Sequence, residues 1–187
     1  MDCKIAISVH SPIFQLLLNL TKEIGIDLLI GFYELDINSI YSSCALLSNG
    51  KIFHKYRYIL KGWKNTSKAD AHYREGNTVT CFTYHDKKCL LALCGDVWDQ
   101  PKRFSLGQDL FFWLVYVGWT KEKWNSSEKN AYAKQAKCCC KTTLYVNSIC
   151  INDANGGAAL WMDGTIQAEV PMDTEKLLIV EIDDNKN

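Results

Sequence analysis

The dipeptide Asn49-Gly50 stands between two runs of β-branched, aromatic and aliphatic residues, 40–48 and 51–60, and constrains the fold more than any other short stretch of the chain. Asn and Gly accept the positive φ at both central positions of a type I′ turn, whose twist matches two paired antiparallel strands. The two runs are therefore expected to be hairpin neighbours. Upstream, Ser11-Pro12 ahead of Ile13, Phe14, Leu16, Leu17, Leu18 and Leu20 predicts a capped amphipathic helix ending near Glu23, before Gly25. The apolar run 26–32 then reads as a strand buried on both faces. Downstream, residues 62–77 lack periodicity and predict a long ordered loop, and such loops are often functional. Residues 79–84 and 88–93 predict a second hairpin through His85-Asp86, and 104–118 a helix or turn followed by an aromatic-rich strand. Residues 124–141 read as a helix with Tyr132, Ala136 and Cys139 or Cys140 inward, followed by a strand at 143–149. A hairpin 158–162/165–170 turns at Asp163-Gly164, and 177–182 is the last expected strand. Strands, helices and hairpins mixed in this way indicate a layered α/β or α+β sandwich, taken as one domain over residues 1–187.

Composition bounds the function classes. With 187 residues, 48% of them hydrophobic, the chain has enough apolar side chain for one sizeable core. Twenty-one basic residues balance twenty-one acidic ones, so no charge excess points to nucleic acid or an anionic membrane. Apolar stretches such as 110–117 are too short to cross a bilayer, and no basic segment precedes an apolar one at residue 1, so the expected location is cytoplasmic. Nine cysteines, an odd number without a secretory leader, do not form a disulfide framework. The run Cys138-Cys139-Cys140 has no Cys-x-x-Cys or His-x-x-x-His partner that would complete a zinc site, so no metal is expected. Most of the thiols are expected to be reduced, small and buried.

One thiol stands apart. Leu90-Leu91-Ala92-Leu93 stops on Cys94-Gly95-Asp96, which delivers a cysteine to the end of a buried strand, where open α/β sheets place reacting groups. A cysteine becomes a nucleophile as thiolate, which needs a nearby cation or backbone donors, and a base to manage protons. Gly95 would allow a tight turn with N–H groups aimed at an oxyanion, and Asp96 would orient a loop or accept backbone hydrogen bonds. The same three residues also fit a core cysteine ahead of an ordinary Gly-Asp turn.

The order of further segments separates these readings. "IGFYE" (30–34), "IYSSCALLSNGKIFHKYRYI" (40–59), "YREG" (73–76), "LLALCGDVWD" (90–99), "YVNSI" (145–149) and "GGAALWMDGTI" (156–166) together resemble the carbon–nitrogen hydrolase, or nitrilase, superfamily. The resemblance implies an α-β-β-α sandwich of mixed sheets that pairs with a second copy, here N-terminally short, since an early strand and helix of the pattern are not found. It also implies a Glu-Lys-Cys triad that hydrolyses small amides, nitriles or carbamoyl groups through a cysteine acyl-enzyme, with no metal or organic cofactor. Cys94 matches the nucleophile.

The other two triad positions depart from the pattern. Where the family has Tyr-Arg-Lys, this chain has Tyr56-Arg57-Tyr58, so a phenol stands at the expected ammonium, and Lys61 three residues on is the candidate to supply the charge. The family's early "PE" glutamate has no match. Glu34 aligns with a different acidic position and is kept as a candidate proton carrier, and Asp70 falls near a further family glutamate. Tyr58, Asp70, Gly95, Asp96 and Trp98 are the candidate substrate contacts, although Trp98, Trp113, Trp119 and Trp124 equally fit packing roles. The expected partners are a small amide or nitrile and a second copy, with the aromatic strand 111–117 as the expected subunit contact. Two readings compete: an active thiol hydrolase, and a nitrilase-fold binding or assembly protein with impaired chemistry.

Overall fold

Helix α2, Pro12–Ile24, follows a four-residue turn of helix, α1 (Asp2–Ile5), in a computed structural model that describes residues 2–61, 71–151 and 153–182. Ser11 caps α2 by accepting from the Phe14 N–H, Pro12 sits in its first turn, and Gly25 ends it at φ 71° with its N–H on the Thr21 carbonyl. Phe14, Leu18 and Thr21 point inward. They cover one face of a three-stranded antiparallel sheet, β1 (Leu28–Asp36), β2 (Ser39–Ser48) and β3 (Lys51–Arg57), in the order β1-β2-β3. Asn49 and Gly50 both have positive φ, as a type I′ turn requires.

The second sheet has six strands. Its centre is parallel, β5 (Lys87–Leu93), β6 (Leu110–Val115) and β7 (Thr142–Asn147), with β4 (Phe82–Tyr84) on one side and β10 (Ala158–Met162) and β11 (Thr165–Val170) on the other. A short ladder of β8 (Ile149–Cys150) and β9 (Ala154–Asn155) stands apart from it. After β5 come α3 (Asp96–Asp99) and a 3₁₀ turn, Pro101–Phe104; after β6 come α4 (Lys121–Lys123), a π-helical turn, Trp124–Glu128, and α5 (Lys129–Cys139).

Period two sorts the side chains into layers. Leu29, Cys44, Tyr56 and Tyr58 face the second sheet, and a Cβ on Gly31 would touch the Leu114 side chain across the gap. Leu28, Ile30, Ala45 and Leu47 face α2 on the other side. Trp113 stacks on Tyr132 of α5, with Trp124, Tyr145 and Trp161 around it, so the aromatic core fills the space between the six-stranded sheet and α5. The layers run α2, three strands, six strands, α5, which is the expected α-β-β-α sandwich.

Several expectations change. The strand expected at 26–32 to be buried on both faces is mostly half-buried: β1 runs from Leu28 to Asp36 and, among the described residues, pairs along its length with β2 alone. In the strand 111–117, expected as a subunit contact, Phe111 and Trp113 are 0% exposed at the centre of the chain's own sheet. Its hydrophobicity serves internal packing. Residues 177–182 form no ladder despite their strand-like sequence, and of 79–84 only Phe82–Tyr84 pairs. β3 ends at Arg57, not at residue 60: the Tyr58 N–H still reaches the Ser42 carbonyl, but those of Ile59 and Leu60 turn aside to the Asp96 carboxylate.

Candidate active site around Cys94

β5 delivers Cys94 to its C-terminal end, and the chain turns there with Cys94 itself at φ 39°, a left-handed backbone that a non-glycine residue seldom adopts. Its N–H donates to the Leu114 carbonyl at 2.7 Å and its carbonyl accepts from Trp113 Nε1 at 2.9 Å. The residue is pinned from both sides. Its Sγ lies 3.9 Å from the Tyr116 carbonyl oxygen. Burial pushes the Cys94 thiol up, against the backbone of Tyr116 and Gly95, which favours the thiolate; the Asp96 charge raises it further. Among the described residues no cation enters that balance, and the net direction is upward.

Gly95 is needed for space and not for conformation. Its φ of −77° suits any residue, but a Cβ there would lie 2.8 Å from the Tyr58 hydroxyl and 3.1 Å from Leu60. Tyr58, at the expected ammonium position, is thereby placed against the residue next to the thiol. Burial first, then the Asp96 and Cys94 charges, push its phenol well above the usual tyrosine range, so it is a neutral group at physiological pH.

Asp96 is the clamp of the site. One carboxylate oxygen accepts from the Ile59 and Leu60 N–H groups at 3.0 and 3.1 Å; the other accepts from the Tyr56 hydroxyl at 2.7 Å and the Leu93 N–H at 3.1 Å. It therefore ties the end of β3 to the end of β5, across the two sheets. Burial pushes its pKa up to about 6, while the four donors pull the other way. Asn147 does similar work beyond the ends of β6 and β7: its side chain bonds both backbone groups of Val117 and the Gly156 carbonyl, joining the loops after β6 and β9.

The remaining candidates divide. Glu34 does not reach Cys94. It lies on the outer face of the three-stranded sheet with Ser43, Lys55 and Arg57, whereas Tyr56 and Tyr58 alternate onto the inner face. Although burial opposes it, Arg57, Lys55 and Ser43 hold the Glu34 carboxyl down at about 2, which removes it as a proton carrier near neutral pH. Lys61 is exposed on the turn after β3, one residue beyond the Asp96 clamp. Asp70 lies outside the described residues. Trp98, on α3, is 37% exposed and packs its ring edge-on against Tyr132 at 4.8 Å, at the rim of the aromatic core. Sequence reasoning missed Tyr56 and Trp113 as supports of the site; the alternation Tyr56-Arg57-Tyr58 was the signal for the first, since period two sends both phenols inward. Among the described residues no group of three or more His, Cys, Asp or Glu is arranged to hold a metal, and no helix is long and apolar enough to cross a membrane.

Comparison with known proteins follows this geometry. No protein-family model matches the sequence, and no curated protein does. Solved structures do. A glutamine-dependent NAD+ synthetase from Acinetobacter baumannii superposes with a TM-score of 0.73 at 18% identity, over 87% of this chain and 32% of that one. A CN-hydrolase superfamily protein from Xanthomonas campestris with an arsenic adduct in its active site gives 0.72 at 15% identity, over 91% and 68%. An amidase from Nesterenkonia sp. AN1, with the acetamide moiety of fluoroacetamide bound covalently to its active-site cysteine, gives 0.67 at 15%, over 85% and 62%. The chain thus spans about a third of the synthetase and about two-thirds of the other two. On layers, strand order and superposition, this chain has the fold of the carbon–nitrogen hydrolase superfamily.

Proposed function

We propose that the chain is a thiol hydrolase of a small, non-peptide carbon–nitrogen bond, in an amide, nitrile or carbamoyl group, with Cys94 as nucleophile. The observation that carries this is the Cys94 elbow: a thiol at φ 39° at the end of a parallel strand, in a fold shared with an amidase whose active-site cysteine takes up the acetamide moiety of fluoroacetamide covalently. On an amide, Sγ adds to the carbonyl carbon, nitrogen leaves with a proton, and water cleaves the thioester to release the acid and restore the thiol. Tyr58 would donate a hydrogen bond to the substrate, and Lys61 would supply the positive charge that Tyr58 lacks.

The reading of impaired chemistry is favoured by a separate observation, the absence of any cation from the Cys94 environment among the described residues. The two readings differ in a direct measurement. Intact-mass spectrometry on the parent, Cys94→Ser and Lys61→Ala reads modification at one site, after exposure to fluoroacetamide, which alkylates a reactive thiol with loss of fluoride, and to short aliphatic amides, which acylate it with loss of ammonia. A hydrolase gives a single adduct that Cys94→Ser abolishes, with turnover that Lys61→Ala lowers at least tenfold. A chain whose Cys94 alkylates more slowly than the exposed Cys138 and Cys150 and forms no acyl adduct is a binding or assembly protein.

A further inference from the structure

The outer face of the three-stranded sheet changes character along its length. α2 covers Ala45 and Leu47, but two residues on, at Ser43, the same face turns polar and charged. There Glu34, 1% exposed, accepts from Ser43 Oγ at 2.8 Å, from Arg57 Nε and Nη2 at 2.8 Å each, and from Lys55. Arg57 also reaches Asp36 at 2.6 Å and lies 3.7 Å over the Tyr41 ring. Two cations thus converge on one buried carboxylate, while the Lys55 and Arg57 side chains keep 30 and 25% of their surface open.

That open surface faces a cavity of about 370 Å³ beside β3, the outermost strand of its sheet. The other wall is the segment 75–80. It joins no ladder before Phe82 but is pinned by three hydrogen bonds: the Arg74 N–H on the Ile40 carbonyl at 2.8 Å, the Gly76 N–H on the Tyr58 carbonyl at 2.7 Å, and the Arg103 guanidinium on the Asn77 carbonyl at 3.1 Å. Gly76 permits the close approach, since a Cβ there would lie 2.7 Å from the Arg57 carbonyl oxygen. Both walls are therefore preformed. Lys55, Arg57 and Tyr41 line the cavity from the sheet, and Glu75, Thr78 and Thr80 from the segment. Lys55 has two further protons to donate, and Arg57 Nη1 has no described partner. Opposite them, the Glu75 carboxylate has no partner among the described residues. Asp36, which also binds Arg57, lies outside the lining.

We propose that this cavity binds a small zwitterion of the amino-acid or short-peptide type, its carboxylate on Lys55 and Arg57 and its ammonium on Glu75. The two walls select that class. A lone anion would meet Glu75 as a like charge, and a lone cation would meet Lys55 and Arg57. An uncharged polyol would leave the spare donors and the Glu75 carboxylate without the charge-assisted hydrogen bonds that are the stronger kind. A molecule with both charges satisfies each wall, and the Thr78 and Thr80 hydroxyls are left to bond the atoms between. The site lies on the outer face of the sheet, whereas Cys94 lies at the end of β5 in the other sheet.

Isothermal titration calorimetry with L-alanine, L-alanyl-L-alanine, propionate, ethylammonium and glycerol tests this, with amide shifts mapped by nuclear magnetic resonance on the parent. The alanine and dipeptide arms differ in the span between their charges, so the tighter of them fixes that span. At least one is expected to bind about tenfold more tightly than propionate, ethylammonium or glycerol, with shifts at Asn77, Thr78 and Thr80. Glu75→Gln, which removes a charge that supports no described contact, should weaken that binding about tenfold with unchanged circular dichroism. The proposal is overturned if neither zwitterion binds, if a half-ligand or glycerol binds as tightly, if Glu75→Gln binds like the parent, or if the shifts centre on Cys94 and Gly95.

Discussion

At the residue scale the site depends on close approach and on one buried carboxylate. Gly95→Ala is expected to destabilise the chain by about 1–3 kcal/mol, because the new methyl meets the Tyr58 hydroxyl at 2.8 Å in a packed interior. In a Tyr58→Phe background, part of that cost should disappear. Urea unfolding of the four-member cycle measures it, and an equal cost in both backgrounds would refute the steric account. Asp96→Asn tests the clamp. Whichever way the amide is turned, its NH₂ faces a backbone N–H that can only donate, so a loss of about 1–3 kcal/mol is expected. Asp96 and Glu34 make opposite contributions to pH dependence. The folded pKa of Asp96 is raised, so the charged form is disfavoured in the fold, and its share of stability grows as pH falls from about 6 toward the unfolded value near 4. The folded pKa of Glu34 is depressed to about 2, so its share is present above the ordinary carboxylate range and is lost as pH falls from about 4.5 to about 2. Glu34→Gln should flatten the acid limb of a stability–pH curve by an amount on the order of 2 kcal/mol, allowing for solvent screening of its partners.

At the element scale, α2 separates burial from hydrophobicity. Phe14→Ala should cost about 3–5 kcal/mol, since its ring is fully enclosed and packs on Phe32 at 5.1 Å. Ile13→Ala should leave the stability of the single chain within about 0.5 kcal/mol, because its side chain already faces solvent. Thermal unfolding of both variants makes the comparison; equal losses would mean that the two faces of the helix are assigned wrongly. The same separation explains which elements the sequence made legible. The Asn49-Gly50 turn, α2 with its Ser11 and Gly25 caps, and the 158–162/165–170 hairpin are set by local backbone chemistry; α2 and the later hairpin occur within a residue or two of the expected bounds, and the first hairpin turns where expected, although its second strand ends three residues early. Strand position was not legible, because an apolar run such as 26–32 reads alike for a central strand and for an edge strand whose neighbour is missing.

At the scale of the whole molecule, two sheets of unequal width share one inner layer, and this brings the end of β3 against Cys94 at the end of β5. Period-two alternation, turn chemistry and the ordered motif series let the sequence by itself determine the layered sandwich, the family resemblance and Cys94 at a strand end. These are local properties, carried by residues close together in the chain. Tertiary structure alone decided which residues meet Cys94. Asp96 collects donors from Tyr56, Ile59 and Leu60, some 36 to 40 positions away. Trp113 reaches the Cys94 carbonyl across 19 positions, and Tyr58 closes on Gly95. Glu34, by contrast, was turned to the outer face and neutralised by Arg57 and Lys55. The physical reason is that a charge or a hydrogen bond acts over a few ångströms of space and is indifferent to separation along the chain, so a carboxylate's role is fixed only when the folded sheets choose its neighbours.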